Sequence, residues 1–125
     1  MPNFDRSVEP HVPLASLVAT MGAMIHDHPA LVPVLQEHLR GNNGEILAHP
    51  LLSDIVDHLV PMVATDPDLV GSVWAWLGEE YARGEAEVKN LIVESGVKKL
   101  PAPDAPGAEM RGMLDDRLRE FDPQR

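Results

Sequence analysis

From Leu14 onward the apolar residues recur at three- and four-residue intervals. Leu14, Leu17, Val18, Met21, Met24 and Ile25 form one stripe, which predicts a helix over about 13–27. His28-Pro29 closes it, because a residue before proline is pushed out of the α region. Leu31, Val32, Leu35 and Leu39 predict a second helix over 31–40, with Pro33 tolerated in its first turn and Gly41 as its stop. Asn42-Asn43-Gly44 reads as a turn in which Gly44 takes a positive φ. A third helix follows His49-Pro50. Leu51, Leu52, Ile55, Val56, Leu59 and Val60 are its inner face and Ser53, Asp54, Asp57 and His58 its wet face, and Pro61 should end or kink it.

The next boundary is sharper. Asp66 is an N-cap, Pro67 suits the first helical position and Asp68 suits the positive end of the helix dipole. The fourth helix then carries Leu69, Val70, Val73, Trp74, Trp76, Leu77 and Tyr81, and stops at Gly84. A fifth is expected over 85–100, with Gly96 inside it marking close approach to another helix. Residues 101–107, rich in proline, read as a stiff extended linker. The last helix, expected over 108–121, turns Met110, Met113, Leu114, Leu118 and Phe121 inward, onto its own core or into a second copy. Residues 1–10 have no periodicity and predict a loose arm. No alternating run suggests a strand. The expectation is an all-α, single-domain bundle of about six helices.

Composition adds limits. The 125 residues suit one domain, and 44% apolar content supplies one core. Without cysteine there are no disulfides, thiol nucleophiles or Cys-rich zinc sites. The formal net charge of −10 opposes binding to nucleic-acid phosphates. No stretch approaches the roughly 20 mostly apolar residues of a membrane span. Asp5, Arg6 and Glu9 near the start are unlike a secretory leader, so a cytoplasmic protein is expected.

The chemistry is sparse. All six histidines lie within the first 58 residues, and the best ligand sets are His26-Asp27-His28 and Asp54 with His58. The H-E-x-x-H spacing of a zinc helix is absent, so capping or surface histidines are expected and no metal. No nucleophile elbow or phosphate loop occurs. Glu79-Glu80 and Asp115-Asp116 are adjacent pairs, which diverge by about 100° on a helix and do not converge on one substrate atom. No catalytic residue and no cofactor are expected. Trp74, Leu77 and Tyr81 share a face, whereas Trp76 is turned by about 200°, so either the helix is central to the core or one tryptophan shows at the surface as an interface anchor.

Residues 1–65 hold seven acids against only Arg6 and Arg40. Glu37, Glu45, Asp54 and Asp57 form one candidate negative patch. Glu79, Glu80, Glu85 and Glu87 form a second around the turn between the fourth and fifth helices. Such surfaces attract basic partners.

Three segments carry a resemblance. They are Gln36-Glu-His-Leu-Arg-Gly-Asn-Asn-Gly-Glu-Ile-Leu-Ala-His49 with Leu-Leu-Ser-Asp54 after Pro50, Trp76-Leu-Gly-Glu-Glu-Tyr81, and Gly84-Glu-Ala-Glu-Val-Lys-Asn-Leu-Ile-Val-Glu-Ser95. In this order, over about 31–100, the chain resembles a bacterial family of small acidic helical proteins of unassigned biochemistry. These look like immunity proteins encoded beside polymorphic or contact-dependent toxins. The resemblance implies no catalytic residues. It implies a binder that neutralises a cognate toxin, a basic nuclease-like domain being the partner that an acidic surface suits, through the eight patch residues above. Asn90, if buried, would bond the backbone before the third helix. The alternative is a non-catalytic helical adaptor, dimerising through its last helix.

Overall fold

The computed structural model describes the backbone over residues 2–124 and the side chains over 15–124. Among the described residues there are seven α-helices and no strand. They are α1 (Pro2–Asp27), α2 (Val32–Gly41), α3 (Ala48–Leu59), α4 (Met62–Thr65), α5 (Pro67–Arg83), α6 (Ala86–Ser95) and α7 (Asp116–Arg119). Short 3-10 turns lie at Pro29–Leu31, Val97–Lys99 and Ala108–Met113. The fold is all-α.

α3 is the hub and packs on α1, α2 and α6, while α5 packs on α4, α6 and α7. The apolar stripes expected for the third and fourth helices make the core, whereas in the second only Leu31 of the expected stripe is buried: Val32 is exposed, Leu35 and Leu39 are half-buried, and α2 turns Val34 and His38 inward instead. Leu31, Leu51, Leu52, Ile55, Leu59, Val70, Val73, Trp74, Leu91 and Ile92 are wholly buried, and Met21, Met24 and Met110 fill the gaps between them. Asp66 caps α5 as expected, its carboxylate accepting the Leu69 N–H at 3.2 Å. Pro61 ends α3, and the apolar tail after it becomes the separate one-turn α4.

Four further expectations need correction. The segment expected as a loose arm is helical from Pro2. Proline's fixed φ is compatible with a helix, and Pro10 and Pro13 lie inside α1 despite the lost N–H and the crowding of the preceding turn, so they do not mark the start that the apolar stripe suggests. The side chains of His11 and Leu14 lie outside the described residues. The fifth helix stops at Ser95 rather than running to Leu100. Gly96 is its C-cap, its N–H on the Ile92 carbonyl at 3.1 Å, and a 3-10 turn follows, with Lys99 N–H on the Gly96 carbonyl at 3.0 Å.

The linker is folded, not extended. Ala105 N–H meets the Ala102 carbonyl at 2.9 Å and Ala108 N–H meets that of Ala105 at 3.2 Å. Gly107 sits at φ +86°, and a Cβ there would lie 2.7 Å from Val60 Cγ1, so only glycine lets this turn rest on the end of α3. Finally, the helix expected over 108–121 is split. The 3-10 turn ends at Leu114, whose ψ is 140°, and Asp115 begins α7 by accepting the Arg117 N–H at 2.9 Å. An aspartate that bonds its own following backbone favours a new cap over continuing the old helix. The inner face is nonetheless as expected: Met110, Leu114 and Leu118 are buried in the chain's own core. Arg111 ties the segment shut, ion-paired with the buried Asp122 and donating to the Pro101 carbonyl at 2.6 Å.

Candidate functional site

α2 and α3 are joined by a loop over 42–47 that must reverse the chain. Asn43 and Gly44 take φ +56° and +81°, and Gly44 N–H closes the turn on the Leu39 carbonyl at 2.8 Å. The Asn42 amide donates to the His38 carbonyl at 2.7 Å. The imidazole of His38, buried beside Leu47, accepts the Leu47 N–H on Nε2 at 3.0 Å. That bond caps the start of α3 with a side chain from α2, since Leu47 itself has no side-chain cap.

The two helices and this loop enclose an open groove of about 680 Å³. Pro33 and Val34 form its apolar floor, and Glu37, Asp54, Asp57, His38 and His58 line it with Gly41 and Asn42. Three of the four residues of the first expected patch are therefore brought together. Glu45 is exposed but does not line the groove. Glu37 pairs with Arg40 one turn along α2. Asp54 Oδ2 lies 3.5 Å from His38 Nδ1. Asp57 has no ion-pair partner among the described residues and stays exposed. A concave surface lined by three carboxylates, of which only Glu37 has an arginine beside it, carries a negative field that attracts cations.

The second patch is different. Glu80 is paired with Arg83, which raises the arginine above its ordinary range, with Glu79 adding to that field. Glu79 also contributes to the raised Arg117 guanidinium, whose main partner is Asp115. Glu85 faces Glu87, and hydrogen bonding with that neighbour together with its charge pushes the Glu85 carboxyl above the usual range. Lys89 stands 5.2 Å over the Tyr81 ring. This patch is a rim of partly compensated charges, and its four acids do not share the groove.

Of the tryptophans, Trp74 is fully buried. Trp76 is the outer one, but it is tied down: Nε1 donates to Asp27 Oδ2 at 2.8 Å and its ring meets His28 edge-on at 6.5 Å. Trp76's hydrogen bond, reinforced by His26, holds the Asp27 carboxyl below its ordinary value. Asn90 is exposed and bonds no backbone of the loop before α3.

Capping or surface histidines are expected, and the structure has His38 capping the start of α3 while adding burial that the sequence does not show. His28 and His38 are buried, and His49 is half-buried with Nδ1 2.5 Å from Ser95 Oγ. Among the described residues no three His, Asp or Glu side chains gather at metal-ligand range. His38 is the site residue that sequence reasoning missed. Its one signal is position, four residues after buried Val34 and four before Asn42, on the inner stripe of α2.

Compared with known proteins, the chain matches no family model, no curated relative and no solved structure.

Proposed function

We propose that the chain is a non-catalytic immunity protein that neutralises a cognate basic toxin domain by receiving its cationic side chains in the groove between α2 and α3. The observation that carries this reading is the placement of Asp54 and Asp57 on one concave wall, without an Arg or Lys partner among the described residues, facing Glu37 across the groove. Desolvating an acidic concavity favours a basic occupant over a neutral one, and long-range attraction speeds encounter in a salt-dependent way.

Co-expression with the open reading frame immediately upstream of the gene, scored by host survival, tests the role. Rescue from a lethal neighbour supports it, and a harmless neighbour removes it. Asp54→Asn with Asp57→Asn tests the place. The neutral pair should weaken the complex by about tenfold or more and flatten its salt dependence, whereas Glu79→Gln with Glu80→Gln should change binding little. Full protection by the Asp54/Asp57 variant would move the interface elsewhere.

A further inference from the structure

Three imidazoles in this fold make buried or half-buried hydrogen bonds, and they differ in what protonation would do to them. His28 Nδ1 donates to the Met24 carbonyl at 2.9 Å, and Nε2 meets the Ser72 hydroxyl at 3.0 Å. His49 Nδ1 meets the Ser95 hydroxyl. A hydroxyl rotates and can accept as readily as donate, so both contacts survive a change of charge. His38 has no such freedom. Its Nε2 faces the backbone N–H of Leu47 at 3.0 Å, and a backbone N–H can only donate. The neutral ring must therefore carry its hydrogen on Nδ1, toward the Asp54 carboxylate at 3.5 Å. A second proton has only Nε2 to occupy, where it would meet another hydrogen.

We propose that His38 is a proton-sensitive clasp, which holds the 42–47 loop against the start of α3 only while its Nε2 is unprotonated. The groups facing it come from every side. They are Asp54 from α3, the Asn42 side-chain NH2, a donor that is bonded to the His38 carbonyl at 2.7 Å and stands 3.4 Å from Nδ1, and Glu37, Asp57 and His58 around the same groove. Acidification thus sets the acidic wall against the loop: the ring gains a charge pairing with Asp54 and loses its hold on Leu47. The turn at 42–45 keeps its own bonds and Ile46 and Ala48 stay packed on the core, so the change is local to Leu47, which is exposed and whose N–H has the His38 ring as its partner. The sign is fixed by the geometry, with the clasp closed at higher pH and open below the titration of His38. The inference concerns the free chain and stands apart from what the groove binds.

The test is one pH series on the isotopically labelled whole chain. Imidazole nitrogen shifts report the tautomer and titration of His38, and amide exchange corrected for its intrinsic rate reports Leu47. The expected result is an Nδ1–H tautomer at neutral pH. As His38 titrates, Leu47 should lose about tenfold of its protection, the scale of one hydrogen bond. The Leu31 amide, bonded to the His28 carbonyl at 2.9 Å, should keep its protection and serves as control. In His38→Leu the Leu47 amide should be unprotected at every pH, and should that variant not fold, the unmodified chain still decides. An Nε2–H tautomer at neutral pH overturns the clasp. So does constant Leu47 protection through the titration, or a ring that stays neutral until the whole chain unfolds.

Discussion

Gly78 on α5 faces Asp115 so closely that a methyl group at position 78 would lie 2.6 Å from the Asp115 Cβ and 2.4 Å from its Cγ. These atoms sit next to the backbone and cannot swing aside as the tip of a long side chain would. The glycine is what lets the start of α7 seat on α5. Gly78→Ala gains up to about 1 kcal/mol of helix propensity but forces α7 outward, an overpacking cost of about 1–3 kcal/mol. The expected outcome is net destabilisation in urea titration, with loss of amide protection at Leu118 before the rest of the core.

Asp115 supplies a pH dependence. Its hydrogen bonds from the Arg117 guanidinium and backbone outweigh burial and hold the carboxyl at about 2. A carboxyl lowered in the folded state stabilises above its unfolded value and loses that contribution as pH falls through the folded one. Stability should therefore decline between the ordinary carboxylate range and about 2. Asp115→Asn should show a shallower decline over the same interval in thermal melts.

Arg111 and Asp122 close the C-terminal segment as a largely buried pair, 15% and 4% exposed at their side chains. Removing one partner strands the other. Asp122→Ala should cost about 2–4 kcal/mol in urea titration. Joint replacement of Arg111 by Met and Asp122 by Leu should cost less than the sum of the single changes, because no unpaired charge remains.

Trp76→Phe tests the tie to Asp27. Without the indole N–H the Asp27 carboxyl should titrate closer to its ordinary range, as read from carboxyl carbon shifts. Emission should then come only from buried Trp74 and lose its exposed component.

The sequence was most legible where burial follows helix period. The stripes of α3 and α5, the Asp66 cap and the stop at Pro61 all lie within a few residues of their cause, whereas on α2 the apolar spacing picked Val32, Leu35 and Leu39 and the buried face is Val34 and His38. What escaped is what depends on distant partners. Gly78 carries no periodic mark, and its reason is Asp115 near the other end of the chain. The C-terminal face was legible as a set of inward residues, but not its backbone, because Asp115 caps a new helix where the stripe alone reads as one. The acidic residues were countable, yet their difference came from the fold. Asp54 and Asp57 lie across a groove from Glu37, while Glu80 has Arg83 beside it and Glu79 feels Arg117 from α7. The immunity reading rests on charge, size and resemblance.

The gap-filling methionines of the core have a chemical consequence. Met21, Met24 and Met110 are sealed from solvent, whereas Met62 and Met113 are half-buried. A thioether becomes a polar sulfoxide only where an oxidant reaches it. Mild peroxide should mark Met62 and Met113 and spare the other three while the chain is folded. The sealed sulfurs then act as a built-in record of unfolding, since any sulfoxide found on them dates from a moment when the core stood open.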